Sequence, residues 1–442
     1  MTRLRHRRRS RVAAACLGVV SAVVAPGAAL AAESLQDAWA MALSRDPSVA
    51  AVQADVEAAT ASERAARAGR LPRVEATGGY TRFDTAPALS IVTPALSFNS
   101  PPLFDGDDTV MAGAQLSLPL YTGGALSASI RAAGLAREAA EAVGDQSVAD
   151  LRIDVAERYV GVLRARRALA SAEASVTSLA AHVADVEAMV QREMVATSDL
   201  LAARVALANA NQQRVRARNA VQLAEAAYNR RLGQPLDRVP EIEDRASLNG
   251  LAEETRDLPA LLAAAQANRS ELRALQARAG ALEAQGRAER AKLLPQLALQ
   301  GGWQHLETTV LDRDEFSSIG VGFRWTLFDG GQALHQARAL ERAGRAARLR
   351  RDDATAMLQL QVREAWLGLA EADARRAASR EAVGQADENL RISRELYGAG
   401  LASNTQVLDA IALRVAAANN RDDAAMDFEL ARLRLARATG EL

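Results

Sequence analysis

The sequence predicts a mainly α-helical chain with a membrane β-barrel part, built as a duplicated helix-strand-strand-helix-helix repeat. Three observations predict it: long proline-free helical runs, four strands of about ten residues, and an internal repeat that spans nearly the whole chain. The composition fits. Of 442 residues, 49% are hydrophobic, yet only 4 are Trp, 5 Tyr and 7 Phe, so the apolar share is mostly Ala, Leu and Val. Such side chains pack helices closely rather than filling a wide globular core.

The chain opens with Arg3, Arg5, His6, Arg7, Arg8, Arg9 and Arg11, then an apolar run from Val12 to Val24 and Ala29-Leu30-Ala31. A charged segment, a short apolar segment and an Ala-x-Ala site read as a signal peptide over 1–31, cut after Ala31. The run is shorter than the roughly 20 apolar residues needed to span a bilayer. Cys16, the only cysteine, lies too early for a lipidation site, and its removal leaves a mature chain without cysteine.

The first helical run covers Leu35 to Leu71 and ends at Pro72. A second extends from about Gly124 to Arg192, with Val176, Leu179, Val183, Val186 and Val190 spaced as a coiled-coil seam. A third covers Ser198 to Leu232 and stops at Gly233 and Pro235. At 1.5 Å per residue the second run is roughly 100 Å long, more than a compact domain holds.

Strands are expected at about 73–84, 109–120, 296–305 and 316–328. Val74, Ala76, Gly78 and Tyr80 alternate with Glu75, Thr77, Gly79 and Thr81, and the other three strands alternate in the same way. Strand length, signal peptide and terminal aromatics (Tyr80, Tyr121, Trp303, Phe328) favour a membrane barrel, apolar toward lipid and polar toward a lumen. Half-buried strands of a soluble sheet would alternate in the same way. A stretch with Pro87, Pro94, Pro101 and Pro102 between the first two strands reads as a long surface loop.

The repeat places Leu71-Pro72 and Gly78-Gly79-Tyr80 again at Leu294-Pro295 and Gly301-Gly302-Trp303, 223 residues on. Past the hairpin the offset is 207, where Leu120-Tyr121-Thr122-Gly123-Gly124 returns as Leu327-Phe328-Asp329-Gly330-Gly331. The repeats are bounded at 32–236 and 237–442. Four strands close no barrel, because the smallest need about eight and an open edge in lipid is costly. Strands must be pooled among two, three or four copies.

Lys+Arg number 54 and Asp+Glu 54, so no basic excess exists to bind nucleic acid. The four scattered histidines (His6, His182, His305, His335) and the missing phosphate-loop, nucleophile-elbow and zinc motifs argue against an enzyme, a metal site or a cofactor. A periplasmic coiled-coil scaffold without a pore is the alternative from another class.

The Leu-Pro helix exits, the aromatic-x-Gly-Gly strand exits at Tyr121 and Phe328, the segment from Tyr397 to Ala410 and the duplication together resemble the outer-membrane efflux (TolC-like) family. Its members are exit ducts of tripartite efflux pumps and type I secretion systems. The resemblance implies a homotrimer with a twelve-stranded barrel in outer-membrane lipid, continued by a periplasmic α-helical barrel. It implies a passive conduit working with an inner-membrane transporter and a periplasmic adaptor (membrane fusion) protein. At a periplasmic gate it places Asp409, with Gln406 at the preceding ring position, and the latch residues Tyr397 and Asp199. The family's latch arginine is replaced by Ala402. Gly400, Leu401, Ala402, Ser403, Met194, Val195, Ala196, Thr197 and Ser198 would face the adaptor, although Glu193 replaces the usual glycine of the first tip.

Overall fold

The computed structural model describes residues 32–94, 96–243, 257–309 and 311–442. The signal peptide, its cleavage site and Cys16 lie outside the described residues. The elements run α1 (Leu35–Arg45), α2 (Pro47–Ala68), β1 (Arg73–Arg82), β2 (Ala88–Thr93), β3 (Leu96–Pro102), β4 (Asp108–Tyr121), α3 (Ala125–Gln191) and α4 (Thr197–Arg231). They continue with α5 (Leu258–Asn268), α6 (Ser270–Ala291), β5 (Gln296–Leu306), β6 (Glu315–Arg324), α7 (Gln332–Gly398) and α8 (Asn404–Thr439). α3 and α7 have 67 residues each, α1 and α5 have 11, and α2 and α6 have 22.

The expected single helix from Leu35 to Leu71 is two helices. Asp46 is extended, at φ −71° and ψ 121°, and its side chain accepts from the Ser48 amide, so it caps α2 while Pro47 occupies the first helical position. A proline disfavours helical backbone at the residue before it, which is why α1 stops there.

The main sheet has the order β1-β4-β5-β6, antiparallel throughout. Its register puts the apolar positions of all four strands on one face. Val74 pairs with Leu116, Leu116 with Gly301, and Gly301 with Ile319. One row over, Ala76, Ala114, Trp303 and Ser317 align. The other face collects Glu75, Gln115, Gly302 and Ser318. The first strand ends at Arg82, short of 84.

Two further expectations are corrected. The strand expected over 316–328 ends at Arg324, because Arg324 pairs with Gln296, the first residue of β5, and no partner remains beyond it. Trp325 then turns its indole N–H onto the Leu293 carbonyl at 3.0 Å. The proline-rich stretch is not only a loop: β2 and β3 form an antiparallel hairpin of their own, closed at its base by stacked Phe83 and Phe104, 5.2 Å apart.

Strand exits need glycine. Gly123 has φ +61°, and a Cβ there would sit 2.6 Å from Leu294 Cβ. Thr122 and Asp329, equivalent in the repeat, cap the long helices that follow: Thr122 Oγ1 accepts from Leu126, and Asp329 accepts from Gly331 and Ala333.

The helices bury two main cores. Beside α1, Leu151, Val155, Tyr159, Tyr228, Leu232 and Leu433 form one. Tyr159 donates to the carbonyls of Glu33 and Glu243, and Tyr228 donates to the Glu33 carboxylate, which fastens residue 33 beside Ile242. Burial raises both phenol pKa values. At the far end of the long helices Leu179, Val186, Leu200, Leu390, Val407 and Ile411 form the second core, with Val176, Val183 and Val190 packed against it, so the expected seam is observed. Among the described residues no helix is long and apolar enough to cross a membrane.

Candidate functional site

The residues singled out at the helix tips converge on two turns. α3 ends at Gln191, and the chain reverses through Glu193 in left-handed backbone (φ +54°) before α4 begins at Thr197. α7 ends at Gly398 and reverses through Gly400 (φ +74°) before α8 begins at Asn404. Met194 and Leu401 are exposed at the two turns.

The turns are capped differently. Ser403 and Gln406 form a capping box: Ser403 Oγ accepts from the Gln406 amide, and the Gln406 side-chain oxygen accepts from the Ser403 amide at 2.8 Å. Gln406 therefore has a structural duty in its own turn. Ala196, the equivalent cap of α4, has no side chain able to accept. Asp409 lies one turn further along α8 and is exposed.

Tyr397 and Asp199 come together. The Tyr397 ring is 6% exposed in the second core, and its hydroxyl is buried without a hydrogen-bond partner. Burial raises the phenol pKa, and the negative charge of Asp199 adds to the rise. The pair is thus juxtaposed but not in hydrogen-bond geometry. Ala402 packs partly buried against the same core.

Two side chains to which the sequence assigns no role complete the cluster. His182 on α3 and Asn404 on α8 are each 4% exposed, and His182 Nε2 lies 2.7 Å from Asn404 Oδ1. Asn404 Nδ2 donates to the Asp199 carbonyl at 3.0 Å. The His182 ring lies 5.7 Å from that of Tyr397. His182 gave only a weak signal, since it flanks the apolar seam position Val183 without being a seam position itself. Asn404 gave none, since it stands where any helix-starting residue would.

A second polar knot lies toward the other end of the helices. Arg269 donates to the carbonyls of Arg437 and Ala438 at the end of α8, and to Glu271. Arg437 in turn joins Glu271 and Asp150. Burial pushes the Glu271 carboxyl up, but the hydrogen bonds from Arg269 and Arg437 prevail and hold it at about 2. Among the described residues no group of three His, Cys, Asp or Glu side chains is placed to hold a metal ion.

A family model described as outer membrane efflux protein matches residues 39–234 and 261–441. No curated protein sequence matches the chain. Solved structures do. The outer-membrane channel OprN is 17% identical with a TM-score of 0.78, covering 92% of this chain and 90% of that one. The outer membrane protein VceC from Vibrio cholerae is 19% identical with a TM-score of 0.77, covering 92% and 96%. The Campylobacter jejuni CmeC outer membrane channel is 15% identical with a TM-score of 0.77, covering 93% and 86%. These similarities establish a shared fold.

Proposed function

The chain belongs to the outer membrane efflux protein family, and on that premise we propose that it is a gated exit duct of the outer membrane, assembled from three copies. One observation supports this best. The four-stranded sheet has a single continuous apolar face, led by Val74, Leu116, Leu299 and Val321, yet β1 and β6 are each paired on one side only. In lipid, unpaired strand edges leave backbone groups unsatisfied at several kcal/mol each. Three sheets joined edge to edge give a twelve-stranded barrel with the apolar faces outward and Gln115, Gln300 and Ser318 lining the lumen.

On this reading residues 1–31 are removed, 32–236 and 237–442 are the two repeats, and the long helices extend the duct into the periplasm. The duct performs no chemistry. An inner-membrane transporter and a periplasmic adaptor supply cargo and energy, the adaptor meeting the turns at Met194–Ser198 and Gly400–Ser403. Asp409 of each copy rings the entrance and favours cations, and Tyr397 beside Asp199 marks the latch position between neighbouring helices. Opening is a shift of α7 and α8 against α3 and α4.

The test is to purify the mature chain in detergent and measure its mass and its conductance in a planar bilayer. A trimer with small, cation-favouring openings supports the duct. A chain that stays soluble without detergent and never conducts leaves the periplasmic scaffold instead.

A further inference from the structure

Where the strands meet the helices, the lumen face of the sheet carries a positive charge that nothing cancels. We propose that Arg324, with Gln296 and Gln300 beside it, forms a ring at the base of the barrel that selects cargo bearing an oxyanion group (carboxylate, phosphate or sulfonate). The inference rests on the duct reading above and deepens it by naming the chemical class of cargo.

The register defines the lumen face. Arg73, Ser117, Gln300 and Gly320 form one row across the four strands. Stepping by two from that row along each strand meets only three charged residues: Arg73, Glu75 and Arg324. Arg73 and Glu75 pair with each other at 2.5 Å. Arg324 is exposed and, among the described residues, has no carboxylate within ion-pair distance. Two arginines against one glutamate leave one positive charge per copy, repeated by every copy in the barrel.

The repeat makes the imbalance plain. Arg73 faces Ser117 at the foot of the first hairpin, and their equivalents, Gln296 and Arg324, face each other at the foot of the second. Each hairpin thus has one lumen-facing arginine at the same level, on opposite strands. Glu75 cancels the first, whereas the equivalent of Glu75 is Ala298, which cancels nothing.

The approach to Arg324 is open. Gly320 and Gly322 come before it on the lumen face of β6, and a Cβ on Gly322 would sit 3.3 Å from the Gln300 side-chain oxygen. The Gln300 carboxamide therefore lies over Gly322, one lumen-facing position from Arg324, while Gln296 stands directly across. A guanidinium fork flanked by two carboxamides offers N–H donors in the geometry that suits an oxyanion. Lipid around the barrel focuses the field of such a ring into the lumen. Because the arginines stay in water, they attract an anion without retaining it, as passage requires.

The test uses the full mature protein and hydroxypyrene trisulfonate, a rigid fluorescent polyanion. Binding is read by anisotropy in detergent, and by voltage-dependent block in planar bilayers with the dye on the β5–β6 loop side. We expect one dye per three chains, and an affinity about tenfold lower in Arg324→Gln, the scale of one lost charged hydrogen bond. Arg324→Lys, which keeps the charge and loses the fork, should fall between. Glu75→Gln frees Arg73 and should tighten binding, whereas Arg73→Gln frees Glu75 and should weaken it. A purely structural Arg324 would not produce these opposite signs. Should Arg324→Gln fail to assemble, Glu75→Gln decides by its opposite direction. No dye binding, equal affinity in Arg324→Gln, or no tightening in Glu75→Gln would each overturn the ring. A conducting trimer indifferent to Arg324 keeps the duct and loses the ring. A protein that binds one dye per three chains through Arg324 yet never conducts keeps the ring and loses the duct.

Discussion

Glu193 and Gly400 occupy the same backbone position in two equivalent turns, 207 residues apart, and both are left-handed, at φ +54° and +74°. The hydrogen bonds around them match. The amide after Glu193, on Met194, reaches the Met189 carbonyl at 3.0 Å, and the amide after Gly400, on Leu401, reaches Leu396 at 2.8 Å. Both turns use the pattern in which glycine usually ends a helix. A Cβ costs about 1–2 kcal/mol in left-handed backbone, so the first turn holds strain that the second lacks. Glu193→Gly is therefore expected to stabilise the first turn by about 1 kcal/mol. Slower amide exchange at 192–198, with no change at 399–405, is the check.

The two polar residues assigned to the entrance ring should separate in their effects. Gln406 already serves the capping box with Ser403, whereas Asp409 is exposed and makes no such bond in its turn. Asp409→Ala should lower cation preference and cation block in planar bilayers. Gln406→Ala should leave selectivity alone and instead loosen the start of α8, as loss of a cap does by about 1 kcal/mol. Unchanged selectivity and block in Asp409→Ala would remove Asp409 from the entrance.

Acid should loosen the helices near the knot around Arg269. The Glu271 carboxyl is held at about 2 against an ordinary 4.5, so the folded state prefers its charged form. The stabilisation is complete above about pH 4.5 and fades as pH falls toward 2, up to about 3 kcal/mol in all. In Glu271→Gln this step should vanish, although the variant starts less stable because Arg269 and Arg437 lose a charged acceptor. Thermal unfolding of both proteins between pH 6 and pH 3 measures the difference.

The legible parts of the fold were those with a short period. Alternation over two residues marked Val74 to Tyr80 and Val110 to Leu120 as strand faces, and heptad spacing marked the seam from Val176 to Val190; local spacing alone decides such features. Lengths and ends were less legible because partners decide them. β6 stops at Arg324 because β5 begins at Gln296, a fact held 28 residues away. The β2–β3 hairpin was hidden because four prolines outweigh weak alternation between Ala88 and Pro102. At the tips, the resemblance marked Gly400 to Ser403 as a turn, but the capping box of Ser403 and Gln406 emerged only in the structure. The His182–Asn404 bond could not, since it joins residues 222 positions apart.

The sheet itself offers the sharpest discrimination between lipid and lumen, because a single step along β6 crosses from one side to the other. Ile319 lies in the apolar row with Gly301, Leu116 and Val74, and it is 80% exposed. Ser318, its neighbour, lies in the row of Gly302, Gln115 and Glu75. An arginine facing hydrocarbon at the middle of a barrel strand costs about 2–4 kcal/mol, whereas one facing water in the lumen costs little. In the proposed three-copy barrel the penalty is incurred three times. Ile319→Arg should therefore fail to accumulate as assembled protein in the outer membrane fraction. Ser318→Arg should assemble normally and shift the channel toward anions by placing three positive charges in the lumen. A register displaced by one residue would exchange the two outcomes, since every side chain of a slipped strand changes face. If both variants assembled equally well, the sheet would not lie in lipid at all.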